Sequence, residues 1–194
     1  MQAGVNRKGA TMKLSKILML LLAIVLLIGC SKKKEKSAGE LYQEALVFLT
    51  DIEKSDPIKA QEYLTKAITL DPNFTEAYMG RAEAHISLGN NEKAFEDFNK
   101  AIQLDPTYAE IYFKRGKVLA GLEQNEKAFE DFNKAIQLKP NFAEVYFERG
   151  KIYFSLSAYR KASEDFNRTL SIAPNHTKAN FYLNELRPFL NESS

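Results

Sequence analysis

Cysteine occurs once in these 194 residues and histidine twice, at Cys30, His85 and His176. A single cysteine excludes an internal disulfide. Two isolated histidines leave no ligand set for a zinc site, so no metal or cofactor is expected. His85 reads as a partly buried packing residue on a helix, not as a catalytic one. No glycine-rich phosphate loop interrupts the chain. No nucleophile stands beside a base that would activate it, so an enzyme is not expected. Charge of one sign is missing too. The formal net charge is +2, and residues 1–29 hold four basic residues (Arg7, Lys8, Lys13, Lys16) and no acidic one. The remainder has 23 basic against 25 acidic residues. That balance gives nucleic-acid binding no support. Nor is there an apolar run of the roughly 20 residues that a membrane-spanning helix needs.

A shorter run is present near the start. Residues 17–28 read ILMLLLAIVLLI, all apolar. The length matches the core of a secretory signal, with Lys13 and Lys16 as its basic region. Met12 is an alternative start to Met1, residues 1–11 then being an extension. Leu27-Ile28-Gly29-Cys30 follow directly. Residues 12–30 resemble the lipobox signal of bacterial lipoproteins. The resemblance implies cleavage before Cys30, a diacylglyceryl group on its sulfur and often a third chain on its amine. Buried methylenes contribute about 0.8 kcal/mol each, and two or more chains anchor stably. The alternative is an uncleaved signal anchor with a buried thiol. Residues 1–29 are therefore expected to be signal peptide and residues 30–38 a flexible lipidated tether. Ser31-Lys32-Lys33-Lys34-Glu35-Lys36 holds no apolar anchor and cannot order itself. Its lysines either attract anionic headgroups, by about 1 kcal/mol each, or form a solvated spacer. By the sorting rule of such lipoproteins, Ser31 favours the outer membrane, at its periplasmic face.

Beyond the tether the chain repeats. Pro72, Pro106, Pro140 and Pro174 are spaced 34 residues apart, the mark of a repeat architecture. Residues 91–104 read NEKAFEDFNKAIQL, and residues 125–138 read the same. Residues 159–172 (YRKASEDFNRTLSI) and 57–70 (PIKAQEYLTKAITL) are further copies. Each unit reads as two helices. In the second unit they are predicted over about 76–88 and 92–104, joined at Gly89-Asn90-Asn91, where glycine and asparagine tolerate left-handed angles. Asp105-Pro106 stops the second helix. Ala94, Phe95, Phe98, Ala101 and Ile102 form its apolar stripe. The acidic pairs Glu96-Asp97, Glu130-Asp131 and Glu164-Asp165 recur with the period and are expected on a solvated face.

This pattern resembles the tetratricopeptide repeat. Tyr78, Tyr112 and Tyr146 occupy its first-turn aromatic position. Ala82, Gly116 and Gly150 occupy its small position, where the two helices approach closely. Their counterparts on the second helix are Ala94, Ala128 and Ala162, followed by Phe98, Phe132 and Phe166, then Ala101, Ala135 and Thr169. The resemblance implies an all-α, right-handed solenoid of four repeats over residues 39–174. Residues 175–194 are expected to hold a capping helix and tail, with Pro188 ending or bending that helix. Repeat one departs from the pattern, with a loop about three residues longer. Repeat three has Glu123 where the turn glycine is expected, with Gly121 two residues earlier.

In this family the first helices line a concave face that commonly holds a peptide. The positions carried over are Met79, Phe113 and Phe147, then Glu83, Lys117 and Lys151, then Ile86, Ala120 and Phe154. The groove expected from them mixes apolar anchors with two lysines and suits a carboxylate-bearing peptide with apolar side chains. The alternative is that these residues pack against neighbouring repeats or the cap. With Cys30, the repeats imply an exported adaptor or scaffold that holds protein partners in the cell envelope. A surface lipoprotein binding a host or environmental ligand is the competing expectation. Oligomeric state is left open.

Overall fold

In the computed structural model, residues 35–51, 53 and 55–191 are described. The expected signal peptide, Cys30 and the start of the tether lie outside them. Among the described residues the secondary structure is helical, without strands. The helices are α1 (Ala38–Thr50), α2 (Pro57–Leu70), α3 (Thr75–Ser87), α4 (Asn91–Leu104), α5 (Ala109–Gly121), α6 (Asn125–Leu138), α7 (Ala143–Ser155), α8 (Tyr159–Ile172) and α9 (Thr177–Asn191). They pack as successive antiparallel pairs, the α-solenoid that the period implies. None of them is long and apolar enough to cross a membrane.

Proline sets the joints between units. The residue before each one is forced out of the helical region. Asp71, Asp105, Lys139 and Ala173 accordingly end α2, α4, α6 and α8 in near-extended backbone, with φ −138° and ψ 92° at Asp105. The Asp105 carboxylate then accepts the Thr107 N–H at 2.9 Å, and Asp71 accepts that of Asn73 at 3.0 Å. Within a unit the turn rests on one left-handed residue. That residue is Gly89 (φ 76°), then Glu123 (59°), then Ser157 (56°). Gly121 does not take over the role in repeat three, for it lies inside α5. The α1–α2 connection covers 51–56, where α3–α4 has only 88–90, the three-residue excess expected of the first repeat's loop. Asp56 caps α2 by accepting the Lys59 N–H at 3.0 Å.

The core follows the repeat. Ala94, Phe98 and Ala101 are fully buried, as are Ala128, Phe132 and Ala135 one unit on. Opposite them, a β-carbon on Gly116 would meet Phe132 at 2.8 Å, and one on Gly150 would meet Phe166 at 2.9 Å. The small residues therefore set the helix separation. Thr169, standing where Ala101 and Ala135 stand, satisfies its buried hydroxyl by donating to the Asp165 carbonyl at 2.9 Å. Helix α9 covers α8 with buried Ala179 and Leu186. Pro188 does not end it, for the helix runs on to Asn191.

One expectation is corrected here. Only the glutamates of the acidic pairs face solvent. Asp97, Asp131 and Asp165 are buried, each gripped at both oxygens by an arginine of the paired first helix. Arg81, Arg115 and Arg149 make these contacts at 2.7–2.8 Å. The third guanidinium nitrogen donates backward to the preceding unit, from Arg115 to Asn99 at 2.7 Å and from Arg149 to Asn133 at 2.6 Å. A carboxylate buried within the stack needs such a counter-charge, which the solvated-face reading left out.

Candidate peptide-binding groove

The first helices α3, α5 and α7 carry the residues carried over to the groove, and the structure divides them. Met79 and Phe147 are buried, at 7% and 6% exposure. They are not exposed anchors, which corrects the expectation for these two. Met79 belongs to the core cluster of α3 and α4. Phe147 is covered from the C-terminal side, its ring lying 4.5 Å from His176 and 5.9 Å from Tyr182. Phe113, one unit earlier, remains half-buried, tilted against Phe142 at 4.9 Å and Phe132 at 6.3 Å. Phe154 is half-buried against Tyr182 at 5.2 Å and Tyr159 at 6.0 Å.

The remaining positions border two adjoining open recesses. One, of about 430 Å³, is lined by Glu83, Ile86, Lys114, Lys117 and Val118 among others. The second, of about 700 Å³, is lined by Lys117, Ala120, Glu148, Lys151, Phe154 and Tyr182 among others. Lys117 lines both. Lys114, Glu148, Val118 and Tyr182 were not among the groove positions read from the sequence. Lys114 and Glu148 stand 34 and 68 residues beyond Gly80, and that alignment was the available signal: three residues sharing one repeat position, two of them charged.

The charges are unevenly compensated. Lys114 forms an ion pair with Glu83 across helices. Lys151 pairs with Glu148 at 2.7 Å within α7. Lys117 is exposed, its ammonium 5.4 Å from the Phe113 ring centre, and has no ion pair among the described residues. Toward the first repeat the surroundings turn acidic. The Tyr42 phenol is pushed above its usual range, by burial first and then by Glu76, Tyr108 and Glu83. The groove thus sets Lys117, without an ion pair, between the Glu83–Lys114 and Glu148–Lys151 pairs, among apolar walls. Among the described residues no group of three or more His, Cys, Asp or Glu is placed to hold a metal.

Comparisons with known proteins agree with the repeats and the α-solenoid fold. A TPR-repeat family model matches residues 82–123 and 121–157. A tetratricopeptide-repeat family model matches residues 52–74 and 143–176. No curated protein sequence matches the chain. Solved structures do. The MamA protein is 26% identical, over 76% of this chain and 81% of that one, with a TM-score of 0.62. PilF of Pseudomonas aeruginosa is 21% identical, over 81% and 72%, with a TM-score of 0.71. The first TPR of Spaghetti (RPAP3), solved bound to the HSP90 peptide SRMEEVD, is 22% identical, over 60% and 95%, with a TM-score of 0.57. The likeness to the last two is one of fold alone.

Proposed function

Because this chain belongs to the tetratricopeptide-repeat family, whose members typically act as adaptors between proteins, we propose that it is a membrane-anchored adaptor of the bacterial cell envelope. Its groove holds a peptide segment of a partner protein. The observation that carries this reading is Lys117. It borders both recesses and is the one lysine of three there without an ion pair among the described residues. A carboxylate on the partner supplies the missing charge. Apolar side chains beside it fit the walls formed by Ile86, Val118 and Phe154. Buried Met79 and Phe147 support the groove from beneath. Exposed apolar surface rimmed by polar groups is the usual character of an interaction site.

The anchoring half of the proposal rests on the lipobox-like pattern of residues 12–30. It has Cys30 as the lipidated first residue of the mature chain and the repeats at the periplasmic face of the outer membrane. Cys30→Ser should then abolish incorporation of labelled palmitate, and continued labelling overturns the anchor.

The groove is tested by crosslinking in intact cells, with partners identified for the parent and for Lys117→Glu. Position 117 is exposed, so the variant folds as the parent does. Loss of the same partners in the variant supports the groove. Unchanged capture overturns it. Degradation of the protein by protease added to intact cells would move it to the cell surface and replace an envelope partner with an external ligand.

A further inference from the structure

A second cleft lies between the second helices α4 and α6, with α5 as its floor. Its volume is about 620 Å³, and Phe95, Arg115, Leu119, Leu122 and Lys127 are among its lining residues. The repeat provides an internal comparison, because every one of these positions recurs 34 residues on. Phe95 corresponds to Phe129, Arg115 to Arg149 and Lys127 to Lys161. The floor residue differs: Leu119 is replaced by Tyr153. In that next unit the Tyr153 ring stacks on Phe129, with centres 4.7 Å apart and planes 25° apart. Two cations stand over the Tyr153 ring, Lys161 at 5.5 Å and Arg149 at 6.0 Å.

In the earlier cleft the same walls stand without that ring. Phe95 is half-buried and makes no ring contact among the described residues. Leu119 lies low, at 6% exposure. Lys127 is exposed, and its ammonium donates only to the neutral Gln124 side chain, at 3.1 Å. Its charge is uncompensated by any ion pair among the described residues. Glu92 and Glu130 also line the cleft, as their counterparts Glu126 and Glu164 stand one repeat on, and Arg115 is held by Asp131. The flat face of Phe95 with the unpaired Lys127 beside it is complementary to the negative face of an aromatic ring.

We propose that the cleft between α4 and α6, which shares only Asn91 and Leu122 with the first recess of the groove, is a second docking site, taking an aromatic side chain of a partner protein in the place that Tyr153 fills one repeat on. The chain itself shows what such walls accept. An aliphatic side chain would forgo both the stack on Phe95 and the attraction of Lys127.

The test uses the full-length chain with labelled leucine methyl groups, titrated with p-cresol, the tyrosine side chain as a free molecule. Leu119 and Leu122 should show saturable upfield shifts with a Kd on the order of 1–10 mM, as suits so small a ligand. Cyclohexanol, of similar size and without a π face, should bind about tenfold more weakly. Leu119→Tyr places in this cleft the residue its counterpart carries, and should weaken p-cresol about tenfold or more, read at Leu122. Phe95→Leu, which keeps an apolar residue on the wall, provides a second variant should Leu119→Tyr fail to fold. It should weaken p-cresol severalfold. Non-saturating shifts, equal response to cyclohexanol, or affinity unchanged in the variants would each overturn the proposal.

Discussion

The ring of Phe132 lies so close to Gly116 that a β-carbon there would come within 2.8 Å of its Cε1 and 2.9 Å of its Cδ1. Phe132 is fully buried and has nowhere to turn. Gly116→Ala should therefore lose about 1–3 kcal/mol by overpacking, although alanine is the better helix former. Gly80→Ala is the control. Its β-carbon would meet the Leu64 methyls at 3.3 and 3.5 Å, which can yield, and the Tyr42 ring at an ordinary 3.7 Å. Urea unfolding of the two variants should separate them, and equal stabilities would discredit the packing argument.

Left-handed backbone at the turns makes a prediction of opposite sign. Glu123 and Ser157 hold φ values of 59° and 56°, which an L-residue adopts at a cost of about 1–2 kcal/mol. Glycine avoids that cost but adds freedom to the unfolded chain. Glu123→Gly and Ser157→Gly should each gain about 0.5–1 kcal/mol. Gly89→Ala should lose about 1 kcal/mol. Thermal melts of the three variants check this.

Breaking one arginine–aspartate clasp should cost more than removing it whole. Arg115→Met leaves Asp131, whose side chain is 6% exposed, without its counter-charge, at a cost of about 3–5 kcal/mol. Adding Asp131→Leu should recover much of that loss, since apolar replacements of a buried ion pair are often neutral. A double-mutant cycle reads the coupling directly. Additive losses would mean that the pair does not act as a unit.

His85 makes stability depend on pH. Burial holds its pKa below the ordinary 6.5, against the pull of Asp97 and with Arg81 and Lys93 adding to the depression. Its Nε2 lies 3.8 Å from Asp97 and its buried Nδ1 has no hydrogen-bond partner among the described residues. Below about pH 6.5 the unfolded chain takes up a proton that the folded chain resists, so this contribution to stability is lost as pH falls through that value. His85→Leu, the residue found at the equivalent Leu119, should flatten the dependence. Denaturant midpoints at about pH 7.5 and 5.5 for parent and variant decide it.

Much of this fold was legible because its signals are local and repeat. Proline stops a helix through its own ring, whatever surrounds it. The stripe of Ala94, Phe98 and Ala101 marks a buried face through its spacing alone. The arginine–aspartate clasps were harder to read, because Glu96 and Asp97 look alike in sequence and only packing decides which is enclosed. The spacing of Arg81, Arg115 and Arg149, each sixteen residues before its aspartate, was the signal available. The groove residues divided for a related reason. A first helix touches its own partner and both neighbouring units, so its apolar girth exceeds one stripe. Phe113 and Phe147 share a repeat position, and Phe142 covers the one as His176 covers the other, but only Phe147 also has Tyr182 over it. That difference belongs to the end of the stack and not to the repeat.

The identity of α4 and α6 has a consequence for how long this protein can be. Their fourteen residues are the same, and each offers the same aspartate to its own arginine and the same asparagine to the next. A copied 34-residue unit inserted between them would meet familiar faces on both sides and dock without redesign. The ends do not allow this. Leu183 stands where a further arginine would be, and the first unit has its longer 51–56 connection. Length is therefore adjustable from the middle, one unit at a time, and each added unit extends the row of first helices by one.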